Sequence, residues 1–225
     1  MRNKPITIGI DGPAGAGKST IAKALSARFD IPYLDTGAMY RAVGLYMLRK
    51  GIDLTDKEAI AAAVPGVPVT VRFENGVQKT MLDGEDVSAV IRTPEVSFAS
   101  SMVSSVQRVR DEMVPMQQRV AEDQSVIMDG RDIGTKVLPG ATVKIFLTAD
   151  LRARAQRRFA EERAKDPNAN FEDVLRTMAE RDARDTGREA SPLVKADDAV
   201  EVDTTALTLE QSIEKIYAVC LEAIG

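Results

Sequence analysis

Histidine and tryptophan are both missing from this chain of 225 residues. Without histidine there is no Ser-His-Asp triad, no histidine-ligated metal and no histidine that acts as a general base or pH switch. Four tyrosines and six phenylalanines are the only aromatic residues. They are too few to favour a base-stacking platform for single-stranded nucleic acid. The single cysteine, Cys220, excludes a disulfide within the chain and fits a reducing compartment.

The charge balance excludes two further classes of partner. There are 30 basic and 34 acidic residues, a formal net charge of -4. A mildly acidic chain is a poor candidate for binding a nucleic-acid polymer or a membrane surface, because both require a basic field. The first ten residues lack a signal-peptide core, and no apolar run approaches the roughly 20 residues of a membrane span. We therefore expect a soluble, cytoplasmic protein.

Short β-branched runs alternate with helical patterns along most of the chain. Five runs indicate strands, near residues 6–10, 33–35, 126–128, 143–147 and 200–202. Helical patterns lie at residues 19–29, 38–50, 56–63, 94–122, 151–165, 171–185 and 209–223. The alternation predicts an α/β fold with a five-stranded parallel sheet flanked by helices.

Residues 65–93 depart from this alternation. Residues 67–73 alternate as a strand does, Glu74-Asn75-Gly76 indicates a turn, and residues 77–82 run back. We predict a small antiparallel insert at 65–93 within a core domain made of residues 1–64 and 94–225.

Three local features make predictions about the helices. Thr55 and Glu58 have the spacing of a capping box for the helix at 56–63. Thr93 and Pro94 indicate the start of the next helix. Because Pro115 lies inside that helical pattern, we expect the helix either to kink there or to break in two.

The segment Gly12–Ser19 decides the class of ligand. It matches the Walker A pattern GxxxxGK[ST] at every fixed position, and it comes after a predicted strand and opens a helix. Backbone N–H groups and the helix N-terminus can surround phosphate oxygens, Lys18 can reach the β- and γ-phosphates, and Ser19 can bind Mg²⁺. We predict that the phosphates of a nucleotide, ATP if the chain is a kinase, are bound by Gly12, Pro13, Ala14, Gly15, Ala16, Gly17, Lys18, Ser19 and Thr20.

The pattern alone leaves several nucleotide-binding functions open. A GTPase is disfavoured, because the only Asn-Lys pair, Asn3-Lys4, precedes the glycine-rich loop and lacks the Asp of an NKxD element. An ATPase or a protein that uses ATP as a switch remains an alternative to a kinase.

Arginines at predicted turns and strand ends favour a phosphorylated second substrate. Two phosphates can approach each other only if their charge is neutralised, and the arginine fork binds phosphate in a bidentate way. Arg41 comes one helical turn after Asp35-Thr36, and Arg131-Asp132 lies just past the third strand. Ligands of parallel sheets bind beyond the carboxyl ends of strands.

Residues 152–188 carry nine arginines, one lysine and eight acidic residues. Most of these charges suit a solvated helical hairpin with ion pairs at i,i+4. Arg181, Asp185 and Arg188 nevertheless share one helical face. A second such face on the preceding helix comprises Arg154, Arg157 and Arg158. We predict a helical lid at about 154–188 that excludes water from the phosphates.

With these residues identified, the chain resembles the bacterial cytidylate kinase family over nearly its whole length. The matching segments are IDGPAGAGKST, LDTGAMYR, GEDVSAVIRTPEV, DGRDIGT, VKIFL and ERDARD. The resemblance implies a P-loop NTPase fold, an NMP-binding insert and a helical lid. It also implies a phosphotransferase that converts ATP and CMP, or dCMP, to ADP and CDP or dCDP, with Mg²⁺ bound through ATP. We expect a monomer.

The resemblance also assigns site residues. Those that would hold the CMP phosphate are Thr36, Arg41, Arg131 and Arg188. Arg181 and Asp185 would contact the pentose or phosphate side, and the cytosine edge would be read by Ser101, Arg110 and Asp132. The residues that would neutralise charge during transfer are Lys18, Arg131, Arg188 and the lid residue Arg158. Pro115 differs from what the resemblance leads us to expect. Position 36 has a threonine where a serine is equally expected, and the hydroxyl is kept.

Two rival functions stay open on the sequence. One is a kinase for another small acceptor, such as UMP, AMP or a metabolite hydroxyl. The other is a P-loop protein that binds ATP as a switch for a partner and hydrolyses it slowly without any acceptor. Competition between acceptors separates these possibilities.

Overall fold

The computed structural model describes residues 5–164 and 166–225. Its strands, in chain order, are β1 (Thr7–Asp11), β2 (Tyr33–Asp35), β3 (Val69–Glu74), β4 (Val77–Leu82), β5 (Glu85–Asp86), β6 (Val126–Gly130), β7 (Val143–Thr148) and β8 (Val200–Asp203). Its α-helices are α1 (Lys18–Phe29), α2 (Thr36–Arg49), α3 (Lys57–Ala63), α4 (Pro94–Val103), α5 (Gln107–Asp123), α6 (Leu151–Arg163), α7 (Phe171–Gly187) and α8 (Leu209–Ile224).

Five strands form a parallel sheet in the order β2-β6-β1-β7-β8. The strand β1 therefore lies at the centre, with β6 on one side and β7 on the other. All carboxyl ends meet at one edge, so the segments after β1, β2 and β6 converge there. The prediction of an α/β fold with a five-stranded parallel sheet is confirmed.

Two apolar clusters cover the two faces of this sheet. Ile8, Ile10 and Ile127 pack with residues of α1 and α8 on one face. Leu34 and Met128 pack with residues of α2, α4 and α5 on the other. Strand residues buried on both faces are typical of a parallel sheet, since helices cover it twice. This packing fixes the strand ends that carry polar side chains.

The predicted insert contains a second sheet, in which β3 and β4 form the expected antiparallel hairpin. A two-residue strand, β5, pairs with β4 and was not predicted. The helical hairpin α6–α7 has an apolar contact of its own, formed by Ala155, Val174 and Met178. The predicted end of its first helix at Lys165 lies outside the described residues.

The structure corrects one predicted helix cap and moves one predicted helix break. The N-cap of α3 is Asp56, whose carboxylate accepts from the N–H groups of Glu58 and Ala59, so Thr55 is not the cap. The helical pattern at 94–122 does form two helices, but the chain leaves the helical path at residues 104–106, and Pro115 lies inside α5. A kink at Pro115 stays a prediction. Apolar side chains of α5, including Val109 and Met113, pack in the core and offset the one hydrogen bond that a proline removes.

A one-turn π-helix, Ile133–Val137, comes after β6 and was also not predicted. Its Ile133 and Gly134 N–H groups donate to the two carboxylate oxygens of Asp11, at 2.8 and 2.7 Å. Asp11 thereby connects the end of β1 to the segment after β6. Within the two described ranges, no helix is both long and apolar enough to cross a membrane.

Candidate functional site

The loop Gly12–Ser19 connects β1 to α1 and depends on glycine at two positions. Gly12 has φ 147°, and a Cβ there would lie 2.1 Å from the Leu147 carbonyl oxygen. Gly15 has φ 74°, and its Cβ would lie 2.8 Å from the terminal methyl of Met178. The N-cap of α1 is Gly17, which has no side chain to satisfy the first N–H groups of the helix. The loop is therefore built to receive an anion at a helix N-terminus.

Lys18 lies inside this loop and is only 6% exposed. Its ammonium donates to the Pro13 carbonyl at 2.7 Å. Burial and the nearby Arg131 guanidinium hold the pKa of Lys18 well below its ordinary value. Lys18 thus lies beside other cationic groups, and an anion that binds there would favour its charged form.

Asp129, at the end of β6, accepts hydrogen bonds on both carboxylate oxygens. Ser19 Oγ donates to one at 2.9 Å, and the Tyr33 hydroxyl donates to the other at 2.7 Å. Burial raises the pKa of Asp129, and burial also raises the pKa of Tyr33, which keeps its phenol protonated. A P-loop serine beside a carboxylate at a neighbouring strand end is the oxygen pair that holds Mg²⁺ in P-loop NTPases, so these residues fit that ion.

The sequence interpretation did not include Asp129 in the site. The signal that could have found it is a carboxylate that directly ends a buried strand. That signal places Asp129 beside Ser19 only once β6 is known to pair with β1.

Beside the loop, a cavity of about 430 Å³, its open mouth included, lies between the end of β6 and helices α2, α4, α5 and α7. Eight of the predicted acceptor residues line it: Thr36, Ser101, Arg110, Arg131, Asp132, Arg181, Asp185 and Arg188. The ninth, Arg41, lines the larger cleft that also contains the glycine-rich loop. The structure therefore brings together residues from five segments that are distant in the sequence.

The lining of this cavity includes a buried ion pair between Arg110 and Asp132, which are 2% and 4% exposed. Arg110 also donates to the Ser104 carbonyl at 3.3 Å, and its guanidinium lies 5.3 Å from the Tyr40 ring centre. Burial raises the pKa of Tyr40 to about 12. Ser101 Oγ accepts from Arg184 Nε at 3.3 Å, which leaves the serine hydroxyl hydrogen available to a ligand.

The cavity wall also contains a cluster of arginines, Arg131, Arg181 and Arg188. Arg131 Nε donates to Asp185 at 2.7 Å. Burial alone lowers the pKa of Arg131, but Asp185 outweighs it and the pKa is raised. Burial and Arg131 lower the pKa of Arg181 to about 10, and burial and Arg110 lower the pKa of Arg188. Crowded guanidinium groups of this kind favour a phosphate dianion.

Asp35 holds the start of α2 and two arginines. Its carboxylate accepts from the N–H of Ala38 at 2.9 Å and pairs with Arg41 at 3.3 Å and Arg92 at 2.9 Å. Burial favours the neutral acid, yet the two arginines lower the pKa of Asp35 below its ordinary value. The adjacent Thr36 donates to the Asp129 carbonyl at 2.7 Å. Arg92 was not among the predicted residues.

The three arginines predicted to share a face of α6 have different contacts. Arg154 is buried, donates to the Ala14 carbonyl of the glycine-rich loop at 2.9 Å and pairs with Asp182 at 2.7 Å. Arg157 donates to the Thr204 carbonyl at 2.6 Å. Arg158 lies in the wall of the larger cleft and pairs with Glu162 at 2.7 Å. The Arg158 side chain is 44% exposed, whereas that of Arg154 is 6% exposed.

Known proteins resemble this chain over nearly its whole length. A family model described as cytidylate kinase matches residues 8–221. The cytidylate kinase of Bacillus licheniformis is 49% identical over 218 residues, which cover 96% of each chain. That of Bacillus anthracis is 46% identical over 219 residues, which cover 97% of each chain.

Among solved structures, a gluconokinase from Sinorhizobium meliloti superposes with a TM-score of 0.51 at 16% identity, with 98% of this chain and 94% of that chain covered. At this identity the likeness concerns the fold alone.

Proposed function

Since the chain belongs to the cytidylate kinase family, we propose that it transfers the γ-phosphate of ATP to CMP or dCMP, giving ADP and CDP or dCDP. The observation that carries the proposal is the cavity beside the glycine-rich loop. Its wall contains both the buried Arg110–Asp132 pair and the arginines Arg131, Arg181 and Arg188. A nucleoside monophosphate has matching groups, a base with hydrogen-bonding edges and a phosphate dianion.

The donor side is derived from the loop. Residues 12–20 would surround the triphosphate of ATP with N–H groups, and Lys18 would exchange the Pro13 carbonyl for the β- and γ-phosphates. Ser19 and Asp129 would hold Mg²⁺ together with phosphate oxygens. Bound there, the ion would neutralise charge between the β- and γ-phosphates.

The acceptor side is derived from the arginine cluster. Residues that would hold the CMP phosphate are Thr36, Arg41, Arg131 and Arg188, with Arg181 and Asp185 next to the pentose. Guanidinium groups stay charged and bind phosphate with two parallel hydrogen bonds. Held in this way, the acceptor oxygen would approach the γ-phosphate in line with the departing ADP.

The base would be recognised at the buried pair. Cytosine presents a C4 amine beside acceptors at N3 and O2. Asp132 would accept from the amine, while Arg110 and Ser101 would donate to the acceptors. Uracil presents O4 and N3–H at the same places, so it would face the wrong groups and bind more weakly.

The reaction requires no strong base from this chain. The acceptor is a phosphate oxygen that is ionised at neutral pH, so positioning and charge neutralisation would supply most of the acceleration. The residues that would neutralise charge are Lys18, Arg131, Arg188 and Arg158. Helices α6 and α7 would keep water from the γ-phosphate.

The test is ADP release from ATP and Mg²⁺ with CMP, dCMP, UMP, AMP or no acceptor. We expect fast release with CMP and dCMP only. Release with several acceptors would retain a kinase but discard the base-reading assignment. Release that ignores every acceptor would favour the ATP-switch alternative.

A pair of variants tests whether the activity depends on the glycine-rich loop. Lys18→Ala is expected to abolish turnover and leave the urea unfolding midpoint close to that of the wild type. Lys23→Ala is the matched control, because Lys23 is exposed on the same helix. A Lys18→Ala protein with near-normal turnover would contradict the assignment.

A further inference from the structure

Gln78, on β4 of the small antiparallel sheet, holds the main chain of Asp35 with both ends of its side-chain amide. Its Oε1 accepts from the Asp35 N–H at 2.6 Å, and its Nε2 donates to the Asp35 carbonyl at 3.2 Å. The same Nε2 lies 3.1 Å from the hydroxyl oxygen of the buried Thr80. A side chain that pairs with both main-chain groups of one residue replaces the bonds a neighbouring strand would make.

The position of Asp35 explains why such a contact is available. The strand β2 is an edge strand of the parallel sheet, with β6 as its partner on one side. On the open side of an edge strand, the N–H and C=O groups have no ladder partner and must be satisfied elsewhere. Gln78 satisfies both for Asp35 and thereby joins the small sheet to the main sheet at its carboxyl edge.

Two neighbouring features of the chain depend on where the Asp35 main chain lies. The Asp35 carboxylate caps α2 through Ala38 and pairs with Arg41. The next residue, Thr36, lines the cavity and donates to the Asp129 carbonyl. A shift of the Asp35 main chain would therefore move both Thr36 and the anchor of Arg41.

We propose that Gln78 is a positioning residue for the acceptor phosphate, which acts by holding the Asp35 main chain to the small sheet. The inference rests on the proposed function, since Thr36 and Arg41 are the residues proposed to hold that phosphate. Gln78 is not part of the lining of the cavity or of the larger cleft. The glycine-rich loop attaches to β1 and packs against Met178 and Arg154, so it is held by contacts other than that of Gln78.

The variants are Gln78→Met, which keeps the length of the side chain without its amide, and Gln78→Glu, which keeps an acceptor and loses the donor. Lys79→Ala is the matched control, because the neighbouring Lys79 pairs with Asp86 on the surface of the same sheet. We expect Gln78→Met to raise KM for CMP about tenfold, the effect of losing two modest hydrogen bonds. KM for ATP should stay within about twofold. Gln78→Glu should raise KM for CMP at least as much, since its carboxylate faces the Asp35 carbonyl.

Two further measurements separate positioning from a merely structural role. Calorimetric titration with CMP in the absence of ATP should show the same loss as KM. Urea unfolding should show that Gln78→Met, like Lys79→Ala, is fully folded at the concentrations used in the assay. Unchanged CMP affinity with reduced stability, or equal losses for CMP and ATP, would overturn the inference.

The wild-type acceptor panel decides the proposed function separately. If another acceptor is preferred, the same variants are measured with that acceptor, and an unchanged KM would again refute the role of Gln78. If no acceptor is used, CMP binding to the wild type and the variants decides, and equal affinities would refute it.

Discussion

Replacing Asp132 with alanine separates the structural role of its carboxylate from its role toward the base. Its partner Arg110 is 2% exposed, so the guanidinium would stay buried without a counter-charge. Breaking one side of a buried pair costs about 3–5 kcal/mol, because the remaining charge is uncompensated. The Ser104 carbonyl and the Tyr40 ring would compensate only in part. Against a typical total stability of about 5–15 kcal/mol, this loss is readily measured by urea unfolding.

The double variant Arg110→Met, Asp132→Leu tests the origin of that loss. Removing both charges leaves no uncompensated ion, and apolar side chains of similar volume pack in the same space. We expect the double variant to recover most of the stability that Asp132→Ala loses. Turnover of CMP should remain lost in both variants, whereas ATP affinity should stay near that of the wild type. Stability and base recognition would then be separated in one series.

Three outcomes would refute this reasoning. If Asp132→Ala unfolds at the wild-type urea concentration, the pair is not desolvated as its burial indicates. If the double variant recovers CMP turnover together with stability, the carboxylate only supports the fold. If Asp132→Ala lowers turnover of CMP and UMP by the same factor, the residue does not discriminate between the bases.

Three further perturbations address the loop and its surroundings. Tyr33→Phe removes one hydrogen bond to the Asp129 carboxylate beside Ser19. The increase in ATP affinity on adding Mg²⁺ should be smaller in the variant than in the wild type by about tenfold or more. Calorimetric titrations in which Mg²⁺ raises ATP affinity equally in both proteins would contradict this. Burial raises the pKa of Asp11 to about 6, so the folded protein binds the extra proton. The unfolding free energy of the wild type should therefore fall relative to that of Asp11→Asn, by up to about 3 kcal/mol, as the pH rises from about 4 to about 6. If the unfolding free energies of the two proteins change equally with pH, Asp11 is not the cause. Gly12→Ala should destabilise the protein more than Gly15→Ala, since its Cβ meets a backbone oxygen rather than a flexible methionine methyl; the reverse order in thermal unfolding would refute that comparison.

The sequence predicts those parts of the molecule whose signal is local. The Gly12–Ser19 pattern includes its own context, a strand before it and a helix after it, and the structure shows both. The role of Asp129 was missed because its contact with Ser19 spans 110 positions and depends on β6 lying beside β1. Strand order results from the packing of both sheet faces together, and no local pattern contains it.

Periodicity predicts which side chains share a helix face but not what lies opposite them. Arg154 and Arg158 were grouped in this way. One is buried against the Ala14 carbonyl, whereas the other is exposed to the larger cleft. Pro115 shows that a local signal can also be overridden. The proline does not end α5, because side chains along the helix pack in the core. The cavity-lining residues on α4 and α5, such as Ser101 and Arg110, were predicted through the family resemblance alone.

The electrostatics of the cavity connect these observations to function. Lys18, Arg181 and Arg188 all have lowered pKa values, because each is buried and faces another cation. Arg131 differs, since its contact with Asp185 raises its pKa. Positive charges that are buried or half-buried therefore crowd this region, which opposes stability. A phosphate that binds among them would offset that repulsion. Binding of an anion should therefore stabilise the folded protein, and the free energy of unfolding should rise with nucleotide concentration.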